Sequence, residues 1–258
     1  MKKSAEKNII NYFLAQEIKS LKHHIVLFAQ TNNFESLHKL RVNIKKIRAF
    51  YAFAERSYGK KYQTNKLKAV FQLAGEIRQL QVNSILIRAL EELPQQLLMQ
   101  LNQQENLLYK DFVSNHLSFL NDVNTVATEN SLPTELPGTK VLKKIFKQKQ
   151  KQAMSMVKHP KRKRLHRFRK SIKKLLYIFK ALPKTVRQHI GFNNKVLNKL
   201  QLRIGLWHDT AAAMFFIKQH NDQGNFNLYL SVLHKKEKRQ FKNICLNIDR
   251  LIAKSSDK

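Results

Sequence analysis

The sequence predicts an all-helical fold in an internally duplicated chain. Only 6 glycines and 5 prolines interrupt 258 residues, and this scarcity of turn residues favours a few long helices over a strand-rich fold. The stretch from Leu37 to Phe50 recurs 128 positions later, from Leu165 to Ile178. Both copies read Leu-His-basic-apolar-Arg, then two residues, then Ile-Lys-Lys-apolar. The repeat indicates two related halves rather than two unrelated segments.

Each copy of the repeated stretch carries two neighbouring stripes when its residues are placed at about 100° each. The apolar stripe, which predicts a buried face, is Leu37, Leu40, Ile44, Ile47 and Tyr51, repeated as Leu165, Phe168, Ile172, Leu175 and Phe179. The basic stripe is His38, Arg41, Lys45 and Arg48, repeated as His166, Arg169 and Lys173. In neither copy does a carboxylate lie between the histidine and the last basic residue, so the Glu-to-Lys pairing typical of exposed helices is missing.

Two interpretations of the basic stripes remain. Most helical charge runs are solvated faces, and a single stripe would be read in that way. The repetition favours the other interpretation, in which an external anion neutralises like charges that otherwise repel along one helix face.

Helical periodicity continues through the rest of the chain and predicts eight helices, four in each half. The segment 129–139 contains two prolines and a glycine and is the expected linker between a first repeat, residues 1–128, and a second repeat, residues 140–258. The first helix is expected over residues 6–30, and the second between an N-cap at Asn33 and a stop at Gly59. The third and fourth helices are expected to be separated by a break near Pro94, and the fourth to end near Val126. The sixth is expected from Pro160 to Pro183, and Gly224 is expected to separate the last two helices.

The charge balance points to an anionic partner. The chain has 49 Lys+Arg against 17 Asp+Glu, a formal net charge of +32 at pH 7, and self-repulsion of that size is hard to tolerate without a polyanion. Residues 1–128 have 18 basic and 10 acidic side chains, whereas residues 129–258 have 31 and 7. A groove shared by the two halves would therefore be more basic on the side of the second half.

Further basic residues lie outside the stripes. Lys19 and Lys147 are separated by the same offset of 128 positions and are expected to be equivalent. The run from Lys161 to Arg164 lies near the start of the sixth helix, where the helix dipole also favours anions; it is either a solvated basic turn or a phosphate contact. On the last helix, one face carries Lys235, Lys238, Arg239 and Lys242.

The patterns of phosphate-processing enzymes are missing from the sequence. There is no Gly-rich loop followed by Lys to cradle phosphoryl groups and no repeated carboxylate pair to hold Mg²⁺. The one cysteine, Cys245, excludes an intrachain disulfide and a multi-cysteine metal site. We therefore expect no catalysis, no cofactor and no metal.

No apolar run reaches the length of a signal peptide or a membrane span, so we expect a cytoplasmic protein without a membrane partner.

The repeated motif resembles that of the CHAD domain, the conserved-histidine α-helical domain. This family has a His followed three residues later by Arg, then paired basic residues and a further Arg, in each half. The matching residues are His38, Arg41, Lys45, Lys46 and Arg48, then His166, Arg169, Lys173 and Lys174. Leu176 stands where the second copy would have its last Arg.

A second family motif, a Gly followed by an Arg/Asn-Asp pair on the next helix, is similar to Gly75-Glu76-Ile77-Arg78-Gln79 and to Gly205-Leu206-Trp207-His208-Asp209. Gln79 departs from the Asp of the family. The resemblance covers nearly the whole chain. It implies two four-helix bundles related by a pseudo-two-fold axis, with a basic central pore or groove that binds inorganic polyphosphate.

From the stripes and the resemblance together we predict a polyphosphate site. Arg41 and Arg169 are expected to donate forked hydrogen bonds to phosphate, with lysines extending the contact. His38 and His166 are either cations that bind phosphate or neutral structural residues. The predicted polyphosphate-binding residues are His38, Arg41, Lys45, Arg48, His166, Arg169, Lys173, Lys19, Lys147, Lys39, Lys46, Arg167, Lys174, Lys235 and Arg239.

Two other functions fit the same composition. A nucleic-acid-binding protein is also basic, but single-strand binding calls for exposed aromatic residues, and Tyr51, Phe168 and Phe179 are expected in the core. A structural protein on the surface of polyphosphate granules would use the same basic groove as a tether.

Overall fold

The structure, a computed structural model, describes residues 9–89, 95–133, 135–221 and 226–256. Regular structure in these ranges is entirely helical, which confirms the predicted all-α class. None of the helices in these ranges is long and apolar enough to cross a membrane.

Nine α-helices and one 3₁₀ helix occur in the described ranges. They are α1 Ile9–Thr31, α2 Phe34–Tyr58, the 3₁₀ helix Asn65–Leu67, α3 Lys68–Arg88, α4 Gln95–Glu129, α5 Thr139–Ser155, α6 Arg162–Ala181, α7 Lys184–Gln188, α8 Asn194–Gln219 and α9 Asn227–Ser256. Eight of them are the eight predicted helices. The ninth, α7, was not predicted, because five residues are too few to show a periodic pattern.

Local capping chemistry fixes the ends of α2 as predicted. The side chain of Asn33 accepts hydrogen bonds from the backbone N–H groups of Glu35 at 2.9 Å and Ser36 at 3.0 Å. At the other end, Gly59 has φ of 70°, a left-handed conformation that glycine adopts without strain, and its N–H donates to the carbonyl of Glu55. The predicted breaks near Pro94 and at Gly224 lie outside the described residues.

The apolar stripes of α2 and α6 are buried, as predicted from their periodicity. Every member is at most 7% exposed, so each helix turns its basic stripe away from a continuous apolar face. Tyr51, Phe168 and Phe179 are among these buried residues, which confirms that they belong to the core.

Two compact units are present, and each draws segments from both halves of the sequence. The first unit comprises Met1–Arg78, Glu105–Lys147 and Lys174–Phe192. The second comprises Gln79–Gln104, Gln148–Lys173 and Asn193–Lys258. These units do not follow the predicted repeats, and the predicted duplication into two bundles therefore stays a prediction.

Candidate functional site

The first basic cluster lies in the first unit, on α2 and α3, and we define it as Arg41, Lys45, Arg48 and Arg78. Arg41 Nη1 donates a 2.7 Å hydrogen bond to the carbonyl of Phe71 on α3. The guanidinium also lies against Gly75, where an added Cβ atom would be only 2.5 Å from Nη1. Arg41 is thus partly buried between the two helices rather than extended into solvent.

One aromatic ring organises three cations of this cluster. The ring centre of Phe71 is 4.6 Å from Arg41 Cζ, 4.8 Å from Arg48 Cζ and 5.8 Å from Lys45 Nζ. The negative face of an aromatic ring attracts such cations, so Phe71 offsets part of their mutual repulsion. In the same unit, Arg78 Cζ lies 3.6 Å from the ring centre of Phe34.

The arginines of the first cluster hold their charge in a partly desolvated setting. Burial, and then the charge of Arg78, lower the pKa of Arg41 to about 10. Burial also lowers the pKa of Arg48. Arg41 nevertheless remains cationic at neutral pH, because its pKa stays well above 7. A nearby anion would stabilise this arrangement.

The second basic cluster lies in the second unit, on α6 and α8, and we define it as His166, Arg169, Lys173, His208 and Asp209. Arg169 Nε donates a 3.2 Å hydrogen bond to the carbonyl of Gln201. Its guanidinium lies against Gly205, where an added Cβ atom would be 2.9 Å from Nη2. In both clusters, then, the arginine donates to the carbonyl four residues before a glycine and packs on that glycine; we call this the arginine–glycine contact.

The two histidines of the second cluster stack on each other. The ring centres of His166 and His208 are 4.8 Å apart with an interplanar angle of 26°. Nδ1 of His166 is buried and has no hydrogen-bond partner among the described residues. Burial, then the charges of Lys170, His208 and Arg169, lower the pKa of His166 to about 4. The imidazole is therefore neutral at pH 7 when no anion is bound.

Lys173 and Asp209 complete the electrostatics of the second cluster. Burial and the charge of Arg169 lower the pKa of Lys173 to about 8, although Asp209 acts in the opposite direction. Asp209 Oδ1 is also 3.7 Å from His208 Nδ1. Asp209 is the one carboxylate of the cluster as defined, and it faces one lysine and one histidine.

Two predicted site residues already have carboxylate partners within the protein. Lys46 Nζ is 2.6 Å from Glu17 Oε1, and Glu17 Oε2 accepts a hydrogen bond from Asn43. Lys39 Nζ is 3.9 Å from Glu35 Oε1 on the exposed surface of α2. The stripe pattern of α2 did not reveal Glu17, because it lies on α1, 29 positions before Lys46.

The other predicted site residues stand on exposed helix surfaces, outside the contacts that define the clusters. They are His38 on α2, Lys19 on α1, Lys147 on α5, Arg167 and Lys174 on α6, and Lys235 and Arg239 on α9. In the basic run at the start of α6, Arg162 Nη2 contacts Glu237 Oε1 at 3.0 Å.

The predicted site did not include Phe71, Gly75, Arg78, Gly205 or His208. A signal for four of them was present, because Gly75 and Arg78 recur as Gly205 and His208 with the same spacing of three, 130 positions later. Phe71 had no such signal, since its counterpart at this offset is Gln201. Within the described ranges, no group of three or more His, Cys, Asp or Glu side chains is placed to hold a metal ion.

The fold and the two clusters define an all-helical protein in which paired helices present repeated basic sites. The chain belongs to the CHAD domain family, whose model matches residues 12–218; α9 begins beyond the matched range. Its fold is similar to the crystal structure of the CHAD domain from the plant Ricinus communis. The TM-score is 0.62 at 13% sequence identity, over 95% of this chain and 91% of that one. No curated protein matches the chain.

Proposed function

We propose that the protein binds inorganic polyphosphate through the two basic clusters. The observation that carries this proposal is the repeated placement of partly buried arginines next to further cations, in a chain with a formal net charge of +32. Charge-assisted hydrogen bonds from arginine to phosphate oxygens are among the stronger polar contacts in proteins. Membership of the CHAD family supports the same ligand.

The composition of the clusters supports a ligand that is charged along its whole length. As defined, they contain six lysines and arginines against one carboxylate, Asp209. A polymer with a charge on every phosphate can neutralise successive cations spaced one helical turn apart, such as Arg41, Lys45 and Arg48. A small monoanion would leave most of these charges uncompensated.

The duplication is part of this proposal. The arginine–glycine contact occurs in both clusters with the same helix geometry, and this supports two equivalent repeats, each contributing one four-helix bundle. If one chain contacts both clusters, as the expected central pore implies, long chains should bind more tightly than short ones, because the second contact is made at a high effective concentration.

Nucleic acid is the rival ligand, and the aromatic residues of the first cluster bear on it. Guanidinium groups of this cluster lie over two aromatic rings, Phe71 and Phe34. Rings used in this way are poorly placed to stack bases, which is the main source of affinity for single strands. This favours a ligand without bases.

A competition assay tests the choice of ligand. Duplex DNA or RNA is added to the protein bound to labelled long-chain polyphosphate at physiological salt. Displacement of the label is then compared at equal phosphate concentration. We expect the nucleic acids to displace it only at much higher phosphate concentration. Displacement at comparable concentration would instead indicate a general polyanion-binding or nucleic-acid-binding protein.

Charge reversal tests the location of the site. The variant Lys45→Glu with Lys173→Glu changes one lysine in each cluster. The control, Lys60→Glu with Lys218→Glu, makes the same change in net charge away from the clusters. Lys60 lies beyond the C-terminal end of α2, whose last residue, Tyr58, is about 25 Å from Arg41 along the helix at 1.5 Å per residue. Lys218 is about 20 Å from Gly205 along α8. We expect the cluster variant to lose more affinity. Equal losses would mean that the overall field, rather than the clusters, binds the anion.

We further propose that binding is not followed by catalysis. The sequence has no repeated carboxylate pair and no phosphate-cradling loop, in line with a binding role. Incubation of the protein with long-chain polyphosphate and Mg²⁺ should leave the chain length and the orthophosphate concentration unchanged. Steady release of orthophosphate that is lost in a cluster variant would overturn this part of the proposal.

A further inference from the structure

We propose that Gly75 and Gly205 are positioning residues for the anion site: each holds an arginine in a fixed orientation, although neither glycine contacts the anion. The inference rests on the proposed function and deepens it, since it separates the residues that orient the cations from the cations themselves. It concerns α3 and α8, which face the two copies of the repeated stretch.

Helix geometry explains why the residue at these positions must lack a side chain. The carbonyl of Phe71 already accepts the helical hydrogen bond from the N–H of Gly75, four residues later. Side chains in a helix lean towards its N-terminus, so a side chain at position 75 would cover that carbonyl. With glycine there, the carbonyl stays open to Arg41 Nη1, which reaches it at 2.7 Å.

The second copy repeats this contact with a different nitrogen of the guanidinium group as the donor. Arg169 Nε reaches the carbonyl of Gln201, four residues before Gly205, at 3.2 Å. An added Cβ atom at Gly205 would lie 2.9 Å from Arg169 Nη2, and one at Gly75 would lie 2.5 Å from Arg41 Nη1. Real Cβ atoms do not approach other atoms so closely, so each guanidinium occupies space that any other residue would fill.

The contact prepares the arginine for an anion. A guanidinium has five N–H donors, and the hydrogen bond described here uses one of them. The remaining donors are held on a side chain that has already lost much of its rotational freedom, which lowers the entropic cost of binding. Lysine, with a single flexible ammonium group, has no planar fork to fix in this way.

Substitution by alanine gives a sharp test, because it alters neither a charge nor a proposed ligand group. The atoms that an alanine Cβ would meet are at the far end of a flexible side chain, so the arginine can swing away while the helices stay packed. Alanine is also a better helix former than glycine in a helix interior. Gly75→Ala and Gly205→Ala should therefore remain folded with an unchanged net charge.

We expect each variant to lose affinity for long-chain polyphosphate by about tenfold, the effect of one charge-assisted hydrogen bond. Gly138→Ala is the matched control, since no atom lies within 4 Å of its added Cβ, and it should bind like the wild type. Unchanged affinity in both test variants, with the fold intact by circular dichroism, would overturn the inference.

A double-mutant cycle shows whether the glycine acts through its arginine. In an Arg41→Lys background, Gly75→Ala should cost little further affinity, because the fork that it positions is gone. An equal loss in both backgrounds would mean that the glycine acts through the packing of α3 instead, and the positioning role would be wrong.

A readout without ligand keeps this inference separate from the proposed function. In the ligand-free protein, the Nε–H signal of Arg169, assigned by its disappearance in Arg169→Lys, should be protected from exchange with water. Gly205→Ala should remove that protection. If the wild type does not bind polyphosphate, the proposed function is wrong. If the signal is equally protected in the wild type and in Gly205→Ala, the inference that the glycine holds the arginine in place is wrong.

Discussion

His166 shows at the residue scale how the same side chain can serve folding and binding in different protonation states. Its ring stacks on His208, and the cations Arg169 and Lys170 of α6 act on it, with Asp209 the one carboxylate of the cluster. In the ligand-free protein these surroundings favour the neutral imidazole. A bound polyanion would reverse the balance, since negative charge favours the imidazolium and raises its pKa.

Binding of polyphosphate should therefore take up a proton at His166. Its pKa is about 4 without ligand and higher in the complex, so affinity should increase as pH falls through the bound-state pKa and weaken as pH rises through it. Dissociation constants measured between pH 5 and 8 would show this slope, and His166→Gln should flatten it. His38→Gln, which changes the exposed histidine of α2, shows whether that residue contributes too. If His166→Gln keeps the full wild-type slope, the histidine is purely structural.

Without ligand, the same histidine should make the protein less stable in mild acid. The pKa of His166 is lowered from 6.5 to about 4 on folding, so the unfolded chain binds the proton more readily. Stability is then present above pH 6.5 and is lost as pH falls towards 4. Because the ring is only half buried, we expect a loss on the order of 1 kcal/mol, less than the full shift implies. Urea unfolding at pH 7 and pH 5 measures it, with His166→Gln as the reference; a wild-type loss no larger than that of the variant would contradict the assignment.

At the scale of elements, one buried carboxylate links α9 to two other helices of the second unit. Glu237 is 1% exposed. Its Oε1 accepts a hydrogen bond from Trp207 Nε1 on α8 at 2.6 Å and forms a salt bridge with Arg162 Nη2 on α6 at 3.0 Å. A buried carboxylate is costly unless it is paired in this way. Glu237 therefore specifies how α9 packs, although α9 lies beyond the range that matches the family.

Glu237→Ala should destabilise the protein by about 2–4 kcal/mol, because it leaves the buried indole N–H of Trp207 without its acceptor. Trp207 is the single tryptophan of the chain, so its fluorescence during urea unfolding reports this site directly. Arg162→Ala is the matched comparison and should cost less than Glu237→Ala, since the arginine side chain is largely exposed and the indole N–H still pairs with the carboxylate. Equal costs for the two variants would show that the salt bridge, not the indole hydrogen bond, holds the carboxylate.

Element boundaries were predictable where short-range chemistry decides them. Asn33 caps α2 through N–H groups two and three residues away, and Gly59 ends it through a left-handed turn. The arginine–glycine contact was not predictable in this way. Arg41 reaches a carbonyl 30 positions along the chain, and periodicity within α2 shows only which face carries the arginine. That face can meet solvent, an anion or another helix, and only tertiary packing decides among them.

In the candidate site, too, the features set by the local pattern were predictable and the contacts between helices were not. The basic stripes correctly indicated which cations lie side by side, as the grouping of Arg41, Lys45 and Arg48 around one ring confirms. They did not show that Lys46 is paired with Glu17 on α1, because partners on other helices leave no trace in a local pattern. The repeated glycines were visible in the sequence, but their role required the position of the guanidinium.

On the scale of the whole molecule, net charge is the dominant property. With 49 basic and 17 acidic side chains, most cations have no carboxylate available, whichever pairs form. Compact folding brings these charges closer together than they are in the unfolded chain, so self-repulsion opposes the folded state. Salt at 0.1 M screens the repulsion between exposed charges that are more than about 10 Å apart, and a bound polyanion neutralises it directly.

Salt should accordingly have opposite effects on stability and on binding. We expect the melting temperature of the ligand-free protein to rise between roughly 0.02 and 0.5 M NaCl, as screening relieves repulsion in the folded state. Affinity for polyphosphate should fall over the same range, because the release of counterions gains less free energy when the bulk salt concentration is higher. At low salt, polyphosphate at about 100 times its dissociation constant should add about 2.7 kcal/mol of stability by mass action.

The control variant Lys60→Glu with Lys218→Glu lowers the net charge of +32 by 4 without changing either cluster, so it should melt at a higher temperature at low salt and respond less to NaCl. A ligand-free melting temperature that does not rise with salt would show that the charges are compensated locally, and the net charge would then no longer support an anionic partner.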